Sequence, residues 1–235
     1  MDTFTVLGLV SFIPAVIILY FVLGEFEHYF KDNKAFFMII VGLGLGMALG
    51  FTSLFFDLSD FLMILSVVAL IEVVKFFILM QKPFRLNHDT TFYGLALGAG
   101  IGAMMVFVYS YAVGMAFLEE GTTLDLKTVL FVFLISYNYT FVNAGTGAII
   151  GYGSYLGEFW KYLVRGFMVS GLHGLLMSLV WSFQFGRFGS FVVLGIGAIY
   201  CTGLIFYIYN EVIPASIPDE MRKRVEKLKE EDQKG

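Results

Sequence analysis

Residues 61–81 read FLMILSVVALIEVVKFFILMQ, and this stretch decides the fold class. An apolar run of this length can cross a bilayer as a helix, because a hydrocarbon core of about 30 Å needs about 20 residues. Glu72 and Lys75 stand in the middle of the run, three residues apart, so they share one helix face. A charge at that depth costs about 2.5–3.5 kcal/mol on insertion scales. The pair therefore indicates either an ion pair that locks helix packing or a carboxylate that faces a polar site inside a bundle.

The composition of the whole chain is that of a membrane protein. Hydrophobic residues make up 58% and charged residues only 14%, whereas a soluble domain has about 25% charged residues. The net charge of −4 leaves no basic groove for nucleic acid, so we expect no nucleic-acid partner. Cys201 is the single cysteine, which excludes an intrachain disulfide and gives no indication of a thiolate metal site.

Hydropathy predicts an all-α, polytopic membrane helix bundle with about seven transmembrane helices. The predicted spans are residues 4–24, 35–56, 61–81, 90–117, 128–150, 163–184 and 189–212. Residues 1–213 would form the transmembrane domain. Residues 214–235 would form a charged, amphipathic cytoplasmic tail, in which an apolar stripe opposes a mixed-charge face.

Basic residues in the predicted loops set the expected orientation, because cytoplasmic loops carry an excess of Lys and Arg. One set of loops holds six of them and the other set holds two. The six are Lys31, Lys34, Lys82, Arg85, Lys161 and Arg165, and the two are Lys127 and Arg187. We therefore expect the N-terminus outside and the C-terminus in the cytoplasm, in the plasma membrane.

Glycines recur at four-residue spacing in two predicted helices. Gly94, Gly98 and Gly102 form such a stripe in the fourth, and the second carries a similar one from Gly42 to Gly50. Small residues at this spacing let another helix backbone approach closely. The stripe of the fourth helix is therefore predicted to pack against a neighbouring helix.

Four polar residues occur within three predicted helices, three of them near the middle of a span and Asn143 about 7–8 Å closer to the cytoplasm than Asn138. They are Glu72, Asn138, Asn143 and His173. Each is costly in hydrocarbon unless it is paired, so a shared and partly hydrated cavity is the simplest arrangement that satisfies them all. Such a cavity has the parts for hydrolysis, because a carboxylate can accept a proton from water while an imidazole or an amide holds an oxyanion. The same parts would also serve substrate binding, a proton relay, or plain hydrogen bonding between helices.

At these positions the sequence resembles the PrsW family of intramembrane proteases. That family shares a superfamily with the CAAX prenyl endopeptidases and the anterior-pharynx-defective scaffold subunit of gamma-secretase. Residues 71–75, IEVVK, are similar to its Glu-Glu-x-x-Lys motif, residues 143–147, NAGTG, to its His-Ala-x-x-Thr-Gly segment, and residues 172–174, LHG, to its Leu-His-Gly motif. The resemblance implies an intramembrane peptidase fold with Glu72 and His173 as catalytic residues, supported by Lys75, Asn138 and Asn143 in a polar cavity.

Three positions depart from the motifs of that family. Ile71 replaces the first Glu, Asn143 replaces the His, and the later Glu would fall near Tyr109 and Ser110, where no acid stands. We therefore predict no metal and no other cofactor, since zinc normally takes three protein ligands.

The expected function is to bind segments of membrane proteins at a polar cavity near the bilayer midplane. The expected partners are therefore helices of other membrane proteins and the lipid bilayer. Cleavage of those segments, as a hydrolase, is the first alternative. A non-catalytic scaffold, pseudoenzyme or chaperone of the same fold is the second. A small-solute transporter or channel is the third, although the polar residues are gathered at one depth rather than along a continuous path.

Overall fold

The computed structural model describes residues 3–56, 60–119, 125–181 and 186–232. These ranges are helical almost throughout and contain no strand. Seven helices in them are long and apolar enough to cross a membrane. The chain is thus an all-α, multi-pass membrane helix bundle. Its spanning helices are α1 (Thr3–Ile18), α2 (Asp32–Ser53), α3 (Phe61–Leu79), α4 (Thr90–Glu119), α5 (Leu126–Leu156), α6 (Phe159–Trp181) and α7 (Gly186–Tyr207).

Two of the spans continue through irregular helical turns. A π-helical segment, Leu19–Leu23, and a 3-10 segment, Gly24–Tyr29, follow α1. A π-helical segment, Ile208–Val212, joins α7 to the short α8 (Ile213–Ser216). The tail then forms α9 (Asp219–Asp232), whose Val225 is buried.

Helix α5 is longer than the hydropathy pattern predicts, because it continues past residue 150 through a glycine-rich stretch. Glycine is a poor helix former, but these glycines lie where other helices come close. A methyl group on Gly151 would overlap the carbonyl oxygen of Thr90, and one on Gly153 would overlap Tyr162. The helix ends only at Gly157, which has a left-handed φ of 74°. Tertiary packing therefore outweighs local propensity in this stretch.

Helix α4 forms the centre of the bundle, between α2 and α5, and nearly all of its described side chains are buried. A methyl group on Gly98 would overlap the carbonyl oxygen of Asn143 in α5, and one on Gly102 would overlap the backbone of Thr140. On the opposite face, Gly42 of α2 sits equally close to the backbone of α4. The two glycine stripes thus bring three helix backbones into direct contact.

Helix α5 is the second central element, and it carries the polar residues of the core. Helices α1, α3, α4, α6 and α7 all pack against it. Its polar side chains are therefore buried among protein rather than exposed to lipid; they are Ser136, Asn138, Thr140, Asn143 and Thr146. This position lets α5 present polar groups to α3 and α6 on one side and to α7 on another.

The α3–α4 and α5–α6 connections lie together at one end of the bundle. The backbone N–H of Leu86 donates to the carbonyl of Ser154 at 3.2 Å, and the Ser154 hydroxyl donates to the carbonyl of Leu79 at 2.9 Å. The basic residues of these connections are therefore gathered at one end. Whether that end faces the cytoplasm stays a prediction.

Candidate functional site

The centre of the site is a buried ion pair within α3. Glu72 and Lys75 are 1% and 0% exposed, and Lys75 Nζ donates to Glu72 Oε1 at 2.7 Å. The same ammonium donates to Thr146 Oγ1 of α5 at 2.6 Å and approaches the carbonyl oxygen of Asn143 at 3.5 Å. An ammonium has three donors, and all three are thus directed at oxygen atoms.

Thr146 joins this pair to α5. Its hydroxyl lies 3.0 Å from Glu72 Oε1 and 3.0 Å from the carbonyl oxygen of Val142. A hydroxyl can accept from the ammonium and donate to an oxygen at the same time. The network therefore satisfies Lys75 and one oxygen of Glu72 and ties α3 to α5.

The second carboxylate oxygen, Glu72 Oε2, is buried and has no hydrogen-bond partner among the described residues. It points toward α6, where a methyl group on Gly166 would lie 3.4 Å from it. Glu72 lines a cavity of about 30 Å³ between α3, α4, α5 and α6. This volume is the space open to the centre of a water-sized sphere, of which one water needs about 10–15 Å³. The cavity therefore has room for one or two waters.

His173 lines the same cavity from α6. It is 3% exposed, and its Nε2 is buried without a hydrogen-bond partner among the described residues. Its ring stands edge-on to the ring of Tyr139, with the two centroids 5.7 Å apart at 90°. Two residues that each carry an unsatisfied buried polar atom thus line one small cavity.

The two asparagines of α5 have separate positions. Asn143 lines the cavity, and its amide donates to the carbonyl oxygen of Tyr139 at 2.8 Å. Asn138 does not line it, because its amide donates to the carbonyl oxygens of Leu134 at 2.8 Å and of Leu194 in α7 at 3.1 Å. Asn138 therefore ties α5 to α7.

Two tyrosines and a tryptophan extend the site beyond the predicted residues. Tyr109 and Tyr139 line the cavity. Trp181 Nε1 donates to the hydroxyl of Tyr139 at 3.3 Å, and its ring lies 5.7 Å from that of Tyr109. The hydroxyl groups of Tyr109 and Ser53 form a hydrogen bond, with their oxygens 2.7 Å apart. Spacing could have revealed Tyr139, because it stands four residues before Asn143 and shares its helix face.

Few of the cavity residues are of the kinds that bind metals. Glu72 and His173 line it, and across the described ranges no group of three His, Cys, Asp or Glu side chains is placed to hold an ion. Cys201 lies elsewhere, with its sulfur 3.4 Å from the carbonyl oxygen of Asn138. The chemistry that these residues offer by themselves is that of one carboxylate, one imidazole and nearby hydroxyl groups.

The fold and the site define a multi-pass membrane protein, with seven spanning helices in the described ranges and a small, largely apolar cavity that Glu72, Asn143 and His173 help to line. Comparison with known proteins adds no relative, since no family model, no curated protein and no solved structure matches the chain. The resemblance to the PrsW family therefore rests on the sequence motifs alone.

Proposed function

We propose that this chain is a PrsW-like intramembrane peptidase, which binds segments of membrane proteins at the Glu72–His173 cavity and hydrolyses a peptide bond there. The observation that carries the proposal is that Glu72 and His173 line one cavity with room for water, and that each has a buried polar atom, Oε2 and Nε2, without a hydrogen-bond partner among the described residues. Buried polar groups are normally hydrogen-bonded. Water bound in the cavity would satisfy such atoms, and a water hydrogen-bonded to Glu72 would be positioned for reaction.

Glu72 acts as the general base in this mechanism. Its Oε2 removes a proton from the water while the water oxygen attacks the carbonyl carbon of the substrate. The same carboxyl group then returns the proton to the departing amine nitrogen as the C–N bond breaks. The products are one chain that ends in a carboxylic acid and another that begins with an amine, so atoms and charge balance.

His173 and Lys75 support this base in different ways. His173 donates a hydrogen bond from its ring to the oxyanion that develops on the substrate carbonyl. Lys75 is a positioning residue, since its contacts with Glu72 Oε1 and Thr146 leave Oε2 as the free oxygen of the carboxylate. The substrate peptide must be unwound at the cleaved bond, because a helical backbone keeps its carbonyl groups hydrogen-bonded.

A non-catalytic scaffold is the second candidate, and one observation favours it. A cavity of about 30 Å³ holds water but not a peptide, so a substrate can reach Glu72 only if α3 moves away from its neighbours. The ion pair with Lys75 and the bond to Thr146 oppose that movement. If the helices stay closed, the chain binds partner helices at its outer faces without cleaving them.

Cleavage in proteoliposomes tests the proposal. The full chain would be purified and reconstituted with a panel of single-span transmembrane peptides, and products would be detected by mass spectrometry. The variants are Glu72→Gln and His173→Asn. Glu27→Gln and His28→Asn are matched controls, because they make the same changes at exposed residues.

We expect the wild type and both controls to cleave, and Glu72→Gln to lose about 10²–10⁴-fold in rate, as is typical for removal of a general base. His173→Asn should lose less, because an amide can still donate to the oxyanion. Equal cleavage by wild type and Glu72→Gln would overturn the proposal. Stable association with the peptides without any cleavage would favour the scaffold.

A further inference from the structure

The first turns of α6 carry two aromatic rings with cationic side chains over them. Phe159 and Tyr162 are three residues apart and share a helix face. The guanidinium of Arg85, from the α3–α4 connection, lies 5.0 Å from the Phe159 ring centroid. The guanidinium of Arg165 lies 4.8 Å from the Tyr162 centroid, and Lys161 Nζ lies 5.7 Å from it. We call Arg85, Lys161 and Arg165 the basic cluster.

The basic cluster has an excess of positive charge. Lys161 forms an ion pair with Glu158 at 2.5 Å. Among the described residues, neither Arg85 nor Arg165 has a carboxylate within ion-pair distance. All three cationic side chains are exposed. Two guanidinium groups therefore stand at the surface without an acidic partner.

A guanidinium close to an aromatic ring is restricted in orientation and keeps donors free. The guanidinium carbons lie 5.0 and 4.8 Å from the two ring centroids, and N–H groups that do not point at a ring can still bind an anion. The rings also limit the rotamers of both arginines before any ligand is bound. Paired guanidinium edges suit the oxygens of a phosphate group, which arginine binds with two parallel hydrogen bonds.

Neighbouring apolar side chains place the basic cluster at the surface of the membrane. Trp160 is 73% exposed, and its ring lies 5.2 Å from that of Phe76 in α3. Tryptophan is enriched at the boundary between headgroups and acyl chains. Leu86 and Leu156, in the same pair of connections, are also exposed, at 56% and 43%. Exposed apolar side chains in the same two connections as the unpaired cations fit a molecule with an anionic head and an apolar body.

We propose that the basic cluster binds the phosphate headgroup of an anionic phospholipid in the leaflet at this end of the bundle. Arg85 and Arg165 donate to the phosphate oxygens, and Trp160 contacts the upper part of an acyl chain. Lys161 adds a weaker contribution because Glu158 neutralises it. This inference is independent of the proposed peptidase activity, since none of these residues lines the Glu72–His173 cavity.

Quenching of Trp160 fluorescence by brominated lipids tests the proposal. The full chain is reconstituted in phosphatidylcholine vesicles that contain either brominated phosphatidylglycerol or brominated phosphatidylcholine at equal fractions. In a Trp160→Phe variant the tryptophan fluorescence comes from Trp181. This contribution is subtracted from the fluorescence of the other proteins. The test variant is Arg85→Gln/Arg165→Gln. The control is Lys127→Gln, which removes an exposed cation at the start of α5, at the opposite end of the bundle.

We expect phosphatidylglycerol to be preferred at Trp160 by at least about fivefold, the effect of one basic residue near an anionic surface. The preference should disappear in the double variant and persist in Lys127→Gln. It should also fall when salt is raised from about 0.05 M to about 0.5 M, because exposed charges are screened. The salt dependence is measured on the wild type, so it tests the proposal even if the double variant is poorly folded.

Three results would overturn the proposal. The first is equal quenching by the two brominated lipids in the wild type. The second is a preference that the double variant retains. The third is a preference that stays unchanged when potassium chloride is raised to about 0.5 M, because exposed cations would then not be its cause.

Discussion

Lys75 Nζ lies 2.7 Å from Glu72 Oε1 in a pair that solvent cannot reach. Both residues belong to α3, but the hydroxyl of Thr146 in α5 contacts the two of them, at 2.6 Å from the nitrogen and 3.0 Å from the oxygen. The ion pair between two residues of α3 therefore also takes part in the contact between α3 and α5. It also divides the carboxylate into Oε1, which is hydrogen-bonded, and Oε2, which has no hydrogen-bond partner among the described residues.

Loss of either partner of this pair is expected to destabilise the fold. Lys75→Met leaves Glu72 buried without a counter-ion, which typically costs about 3–5 kcal/mol. The double variant Lys75→Met/Glu72→Gln removes both charges and should recover much of that loss. The measurement is unfolding in detergent of the wild type, Lys75→Met, Glu72→Gln and the double variant, analysed as a double-mutant cycle.

The matched control for this experiment is Lys161→Met. Lys161 pairs with Glu158 at the same three-residue spacing, but both side chains are about half exposed. Exposed pairs contribute at most about 1 kcal/mol, so this change should have little effect. Strictly additive effects of Lys75→Met and Glu72→Gln would show that the buried pair is not energetically coupled.

The hydroxyl of Thr146 is expected to stabilise the contact between α3 and α5. Thr146→Val keeps the shape of the side chain but leaves a donor of Lys75 without its partner, a loss of about 1–3 kcal/mol for a buried group. Thr52→Val is the control, since the Thr52 hydroxyl is exposed and bonds the carbonyl of Ala48 in its own helix. Equal melting temperatures for the two variants would count against a bridging role for Thr146.

Close packing of α4 on α5 predicts unequal effects of adding one methyl group to different glycines. Gly98→Ala would force a methyl group into the carbonyl oxygen of Asn143, whereas a methyl group on Gly203 of α7 has nothing within 4 Å. Overpacking typically costs about 1–3 kcal/mol. We expect Gly98→Ala to lower the melting temperature in detergent clearly and Gly203→Ala to leave it unchanged. Similar values for the two would contradict the packing described here.

The orientation of the bundle can be tested by cysteine labelling in a Cys201→Ala background. Lys127→Cys and Lys82→Cys lie at opposite ends of spanning helices and are exposed. From the excess of basic residues we expect Lys127→Cys to react from outside intact cells, and Lys82→Cys to react only after permeabilisation. Labelling of both from one side would contradict the seven spans, and the reverse pattern would contradict the orientation alone.

Sequence patterns identified the helices of this protein well. Apolar runs of about 20 residues have few alternatives to a spanning helix, because the backbone must satisfy its own hydrogen bonds in lipid. The seven predicted spans correspond to seven helices in the described ranges, a confirmation of the fold class. The boundaries were less accurate, and the end of α5 was placed too early because hydropathy does not register close contact at glycines such as Gly151 and Gly153.

Helical periodicity alone puts Glu72 and Lys75 on one helix face, and counting residues along each predicted span puts Glu72, Asn138 and His173 near its middle. Only the tertiary structure decided which of these groups meet. It placed Asn143 and His173 on the cavity of Glu72 and turned Asn138 toward α7, and it added Tyr109 and Tyr139. The physical reason is that the rotation of each helix depends on its packing against neighbours, above all at the glycine contacts of α4 and α5, and these contacts join residues far apart in the chain.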